Sequence, residues 1–113
     1  MRESGILMPV SSLPGPYGIG CFGKAAFQFV DFLSAAGQTI WQLLPLSPTG
    51  YGDSPYQSCS AFAGNPYFVD LETLEKEGLL TAADLKAESW GKNPLEVDYG
   101  TLYVSRFAVL RKA

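Results

Sequence analysis

Seven side chains lie close together in a segment poor in regular structure: Tyr51, Asp53, Ser54, Tyr56, Gln57, Ser58 and Asn65. A sugar presents C–H faces and a ring of hydroxyls, so a site for one needs aromatic faces beside short groups that donate and accept hydrogen bonds. This set supplies both. The competing assignment is structural: Tyr56 would anchor a core, and Asp53, Ser54 and Asn65 would bond the loop's own backbone, as turn residues commonly do. For Asp53 and Asn65 the structural assignment weighs more, whereas Tyr51 and Tyr56, flanking a Gly-Asp-Ser-Pro turn, read as ligand contacts.

Glycosyl hydrolysis or transfer uses a pair of carboxyl groups, one as acid and one as nucleophile or base. Asp31, Asp70, Glu72, Glu75, Glu77, Asp84 and Glu88 fall on expected helix faces or caps, where each has an ordinary solvated or dipole-pairing role. Asp53 alone joins the aromatic set. With no His in the chain, Ser-His-Asp and Cys-His devices are absent. Cys21 and Cys59 form no C-x-x-C pair, which argues against zinc and for free thiols, with a single disulfide as the alternative. Gly18-Ile19-Gly20-Cys21-Phe22-Gly23 matches G-x-G-x-x-G, yet seven residues with two prolines separate it from Val10. The turn that would deliver a pyrophosphate to a helix start needs the strand to run straight into the first glycine, and no acidic residue ends the second strand to hold a ribose.

These residues must be held by a scaffold. A hydrophobic share of 47% with 13% aromatic residues marks a chain that wants a core. Gly5 to Val10 reads as a strand buried on both faces, and Ser11 to Gly23 as a structured loop. In Lys24 to Ala36 the apolar residues Ala26, Phe29, Val30 and Leu33 recur with helical spacing, and Gly37 is the expected stop. Thr39 to Leu44 is a second strand, containing Trp41 as a core residue. Strand, helix, strand predicts a parallel pair with a right-handed crossover. Beyond the loop, Asp70 and Thr81 are expected helix caps, and Tyr99 to Ala113 shows helical spacing with no Gly or Pro to end it. Two buried parallel strands need more neighbours than these elements supply, so a piece of a larger α/β unit is expected.

Eight basic and eleven acidic residues are scattered, leaving a net charge of −3 with no stripe for nucleic acid and no cationic membrane face. The apolar run at the N-terminus is too short for a signal peptide, and no segment has the length of a membrane span. A cytoplasmic location is the expectation.

Several motifs in order, Ser4-Gly5-Ile6-Leu7, Ser11-Ser12-Leu13-Pro14, Tyr17-Gly18-Ile19-Gly20, Trp41-Gln42-Leu43-Leu44-Pro45-Leu46, Gly52-Asp53-Ser54-Pro55-Tyr56-Gln57-Ser58 and Ser60-Ala61-Phe62-Ala63-Gly64-Asn65-Pro66, together resemble the N-terminal part of the amylomaltases, bacterial 4-α-glucanotransferases. The resemblance implies the opening of a (β/α)8 TIM barrel with inserted subdomain segments: strand, helix, strand, a substrate loop over residues 45–66, and inserted helices over 70–113. It implies substrate-binding roles for Tyr51, Asp53, Ser54, Tyr56 and Gln57, with Tyr56 against the sugar near the scissile bond. It further implies retaining transfer between α-1,4-glucans and maltooligosaccharides, no cofactor, and the remainder of the barrel as partner. The family's catalytic carboxylates belong to later strands, so none is assigned here. A non-catalytic glucan-binding module is the alternative.

Overall fold

The computed structural model describes the whole chain, Met1–Ala113. Two short parallel strands, β1 (Gly5–Leu7) and β2 (Ile40–Gln42), pair in the register Gly5 with Ile40, Ile6 with Trp41 and Leu7 with Gln42. Between them runs α1 (Lys24–Ala35), followed by Gly37 at φ 75°, the left-handed stop that glycine adopts without steric cost. The strands are shorter than the apolar runs that announce them. Met8 still donates its N–H to the Gln42 carbonyl, but Pro9 has no N–H to continue the ladder, and Val10–Ser12 turns instead into a 3-10 helix.

Burial on both strand faces is not what the structure contains: each strand alternates exposed, half-buried, exposed. The helix α1 packs on this sheet through Phe29, set edge-on to Trp41 at 5.0 Å between ring centroids. Trp41 meets its core assignment, half-buried with its indole N–H donating to the Met8 carbonyl at 2.9 Å. On α1, Ala26 and Leu33 are buried and Phe29 half-buried, whereas Val30 is exposed. The helix therefore has an apolar face wider than the surface that meets it.

The second half of the chain is helical. A 3-10 turn (Pro66–Phe68) leads into α2 (Leu71–Lys76), then α3 (Ala82–Lys86) and α4 (Tyr99–Lys112). Each helix starts on an acceptor side chain. Asp70 accepts from the Thr73 N–H, Thr81 and Asp84 form a reciprocal capping box, and Asp98 accepts from the Thr101 N–H. These bonds account for three carboxylates without any catalytic role, and Thr101's bonds hold the Asp98 carboxyl below its ordinary pKa.

The core is divided. Sixteen residues are buried, and ten of them form three small clusters: Leu71, Leu80, Leu85 and Val109; Val10, Leu13 and Ala26; and Ile19, Tyr67 and Leu102. The radius of gyration of 15.1 Å exceeds the roughly 13 Å expected of a compact domain this long. One charged side chain is buried: Arg106 on α4, 1% exposed, donates to the carbonyls of Val69 and Tyr17. Desolvation lowers its pKa, with Cys21 and Asp70 nearby acting in the opposite sense.

Candidate functional site

The segment after β2 is built from two successive β-turns. In the first, the Asp53 N–H donates to the Gly50 carbonyl at 3.0 Å, with Tyr51 and Gly52 at the apex. Gly52 has φ 90°, which suits the third position of a type II turn and requires glycine. In the second, the Gln57 N–H donates to the Ser54 carbonyl at 3.1 Å, with Pro55 and Tyr56 at the apex. Gly50 N–H to Gln57 carbonyl, 3.3 Å, closes the pair into one unit. The segment is tied down downstream, where the Asn65 N–H donates to Leu46 and the Asn65 side chain accepts from the Tyr67 N–H.

Facing the first turn is a cavity of about 750 Å³. Its near wall runs from Pro48 to Asp53; its far wall is Asn65 to Tyr67 together with Tyr99, Tyr103 and Phe107. The three α4 residues are spaced by four, which puts them on one face of the helix. Their rings meet edge-on, Tyr67 to Tyr99 at 5.7 Å, Tyr67 to Phe107 at 5.5 Å and Tyr103 to Phe107 at 5.5 Å. The cavity thus offers aromatic surface with a few polar atoms from Thr49, Asp53 and Asn65. A smaller cavity of about 260 Å³ lies behind it, bounded by the Pro9–Ser12 turn and Leu44–Leu46, and Thr49, Asp53, Asn65 and Tyr99 line both.

Burial, reinforced by the Asp53 carboxylate, raises the phenol of Tyr67; burial raises that of Tyr99 too, against a bond with Ser11. Both hydroxyls remain protonated at neutral pH and available as donors. Asp53 Oδ1 accepts from the Thr49 hydroxyl at 3.0 Å, so its carboxylate is engaged within the loop.

Of the residues assigned from sequence, Tyr51 and Asp53 meet at the larger cavity. Ser54, Tyr56 and Gln57 belong to the second turn and do not line it. Tyr56 and Gln57 are exposed, and Ser54 is half-buried with its hydroxyl accepting from the Tyr56 N–H. Asn65 has the backbone-bonding role weighed for it. Tyr67, Tyr99, Tyr103 and Phe107 escaped the sequence reading; the signal was present in the i, i+4, i+8 aromatic spacing of α4, which reads equally well as core.

The glycine-rich segment is not a phosphate cradle. A Cβ on Gly20 would lie 2.0 Å from the Val10 carbonyl oxygen, one on Gly23 2.6 Å from Asp70 Oδ1, and one on Gly18 2.4 Å from the Trp90 carbonyl oxygen. At the start of α1, where a phosphate would have to sit, the Asp70 carboxylate lies against Gly23 and would repel it. No group of three or more His, Cys, Asp or Glu side chains is arranged to hold a metal ion, and no helix is long and apolar enough to cross a membrane. Cys21 and Cys59 are both free.

Comparison with known proteins agrees with this architecture. A family model described as 4-alpha-glucanotransferase matches residues 8–113. The 4-alpha-glucanotransferase of Streptococcus pneumoniae is 56% identical over 112 residues, covering 99% of this chain and 22% of that enzyme. The Thermus thermophilus 4-alpha-glucanotransferase is 50% identical over 112 residues, with 99% and 21% covered. Among solved structures, an amylomaltase from Streptococcus agalactiae in complex with acarbose superposes with a TM-score of 0.94 at 49% identity, over 99% of this chain and 23% of that one. The chain spans about a fifth of the length of the curated relatives it matches. The chain belongs to the 4-alpha-glucanotransferase family.

Proposed function

We propose that this chain forms one wall of the glucan groove of a cytoplasmic amylomaltase. The protein would transfer α-1,4-glucan segments between maltooligosaccharides. Its architecture would be a (β/α)8 barrel of ~250 residues or more with inserted segments, in which β1, α1 and β2 are the opening units and residues 45–66 the loop at a strand's C-terminal end, where such barrels build their sites. The inserted helices would be those over 70–113.

The observation that carries the proposal is the pair of turns whose apices bear Tyr51 and Tyr56 beside an aromatic cavity. Tyrosine faces pack on the C–H surface of a sugar, while Ser54 and Gln57 offer hydrogen bonds to its hydroxyls. Asp53 lies at the centre of this wall. The chemistry is retaining: one carboxylate attacks the anomeric carbon, one carboxylic acid protonates the departing oxygen, and a hydroxyl of a second glucan then displaces the enzyme carboxylate. Both carboxyl groups would come from chain outside residues 1–113, and no cofactor takes part. The remaining barrel strands are the partner that the groove requires; neither nucleic acid nor membrane is one.

The test is incubation of the full-length protein with maltotriose. A ladder of longer maltooligosaccharides with release of glucose is the expected result. Glucan binding with no transfer would favour a non-catalytic binding module and overturn the proposal.

A further inference from the structure

We propose that Asp53 is a positioning residue, one that sets the spacing of Tyr51 and Tyr56 along a bound glucan by fixing the junction between the two turns that carry them. The inference rests on the glucan-transfer reading above and assigns a division of labour within that wall.

The geometry is specific. Gly50 to Gln57 is a closed unit of two hydrogen-bonded turns, and the Asp53–Ser54 link is where one passes into the other. Rotation about the backbone of Asp53 therefore swings the Tyr51 turn against the Tyr56 turn. Asp53 is the one residue other than glycine with positive φ, at 55°. Asp and Asn tolerate this left-handed conformation better than other side-chain-bearing residues, because a short polar group can bond locally. The local bond is present: Oδ1 accepts from the Thr49 hydroxyl at 3.0 Å, bracing the first turn across its base. Strained backbone persists where its surroundings hold it and clusters at ligand sites. The brace also faces the far wall, since Thr49, Asp53 and Tyr99 share the partition between the two cavities.

An α-1,4-glucan repeats one sugar at a fixed interval, so two aromatic faces held at a set separation act as a gauge. A donor long enough to reach both tyrosines benefits from that separation; one that reaches a single tyrosine does not. Loosening the junction should thus weaken long donors selectively.

The experiment compares Asp53→Ala, Asp53→Asn and Thr49→Val in the full-length protein, with maltotriose and maltoheptaose as donors. Asp53→Ala and Thr49→Val are expected to raise KM for maltoheptaose by about tenfold relative to that for maltotriose, the loss of one well-placed aromatic contact, with kcat within about twofold. Asp53→Asn keeps an acceptor oxygen and tolerates the backbone, and should recover most of that loss. Thr49→Val removes one hydroxyl and keeps the inference testable if Asp53→Ala fails to fold. Equal loss in Asp53→Asn and Asp53→Ala would mean that the charge itself meets the sugar, and would overturn the proposal. So would a loss independent of donor length with a lowered Tm, the mark of a structural role only. A wild-type protein that forms no ladder overturns the functional reading first, and is distinguished by needing no variant.

Discussion

The guanidinium of Arg106 donates to the backbone carbonyl of Val69, and from its other terminal nitrogen to that of Tyr17 at 3.5 Å. Its Nε has no partner. One buried cation thus ties α4 to the loop before α1 and to the turn before α2. Arg106→Ala should leave both carbonyls unpaired and open a void, at a cost of about 3 kcal/mol or more. Arg106→Met fills the volume and carries no buried charge, so it should lose less. The thermal midpoints of the two full-length variants give the order; Met falling below Ala would contradict it.

Gly20 lies against the Val10 and Leu13 backbone, where a Cβ would come within 2.0 Å of one carbonyl oxygen and 2.7 Å of another. Backbone cannot give way as a flexible side-chain end can. Gly20→Ala is therefore expected to cost about 2 kcal/mol or more, by overpacking. Gly37, at φ 75° with open space around it, should lose about 1 kcal/mol on the same substitution, through backbone strain alone. Denaturation midpoints of both variants would reveal the ranking.

The two thiols should differ sharply in reactivity. Burial, with the adjacent Asp70 carboxylate, pushes Cys21 up to about 11, and its thiol donates to Asp70 Oδ1 at 3.6 Å. Cys59 is exposed. Because the thiolate is the nucleophile, iodoacetamide at pH 8 should alkylate Cys59 and spare Cys21 in the native protein. The sign for stability follows from the raised value: the contribution of the neutral Cys21 thiol is present below the ordinary thiol pKa of 9.0 and is lost as pH rises through about 11. Mass spectrometry of peptides from the native protein, with modified Cys21 as the contrary outcome, checks the assignment.

Tyr56 stands 73% exposed at the apex of the second turn. Tyr56→Phe preserves the ring and should preserve most of the transfer rate, whereas Tyr56→Ala should lower it by about one to two decades, for a contact of ~1–3 kcal/mol. Rates for both variants equal to that of the unaltered enzyme would remove Tyr56 from the groove.

Local chemistry was the legible part of this sequence. Asp70 and Thr81 announce helix starts because their side-chain oxygens meet orphan N–H groups three residues on, and both do so. Gly37 announces a stop, and it has positive φ. The turn segment was visible in its Gly, Pro and Ser content. Strand length was not, because the ladder depends on where Pro9 withdraws its donor and on how far the partner strand runs. The far wall of the cavity was hidden for a related reason: Tyr99 and Tyr103 come to line one cavity with Tyr51 only through the folding of α4 beside residues 65–67, a placement that spacing along one helix does not encode. Arg106, by contrast, sat on the buried stripe that helical periodicity marks out, although nothing in the sequence named the carbonyls it would meet.

The two-stranded sheet has a practical corollary. With the order β1–β2, each strand keeps one edge of backbone N–H and C=O groups without a ladder partner inside the segment. Leu7 and Ile40 on those strands, and Phe27 and Phe32 on the helix between them, are exposed. Such an edge flanked by apolar side chains is a template for any extended chain that meets it. Expressed apart from further strands, residues 1–113 should therefore recruit one another into aggregates, and a charged residue placed at Ile40 would act as a gatekeeper that keeps the piece in solution.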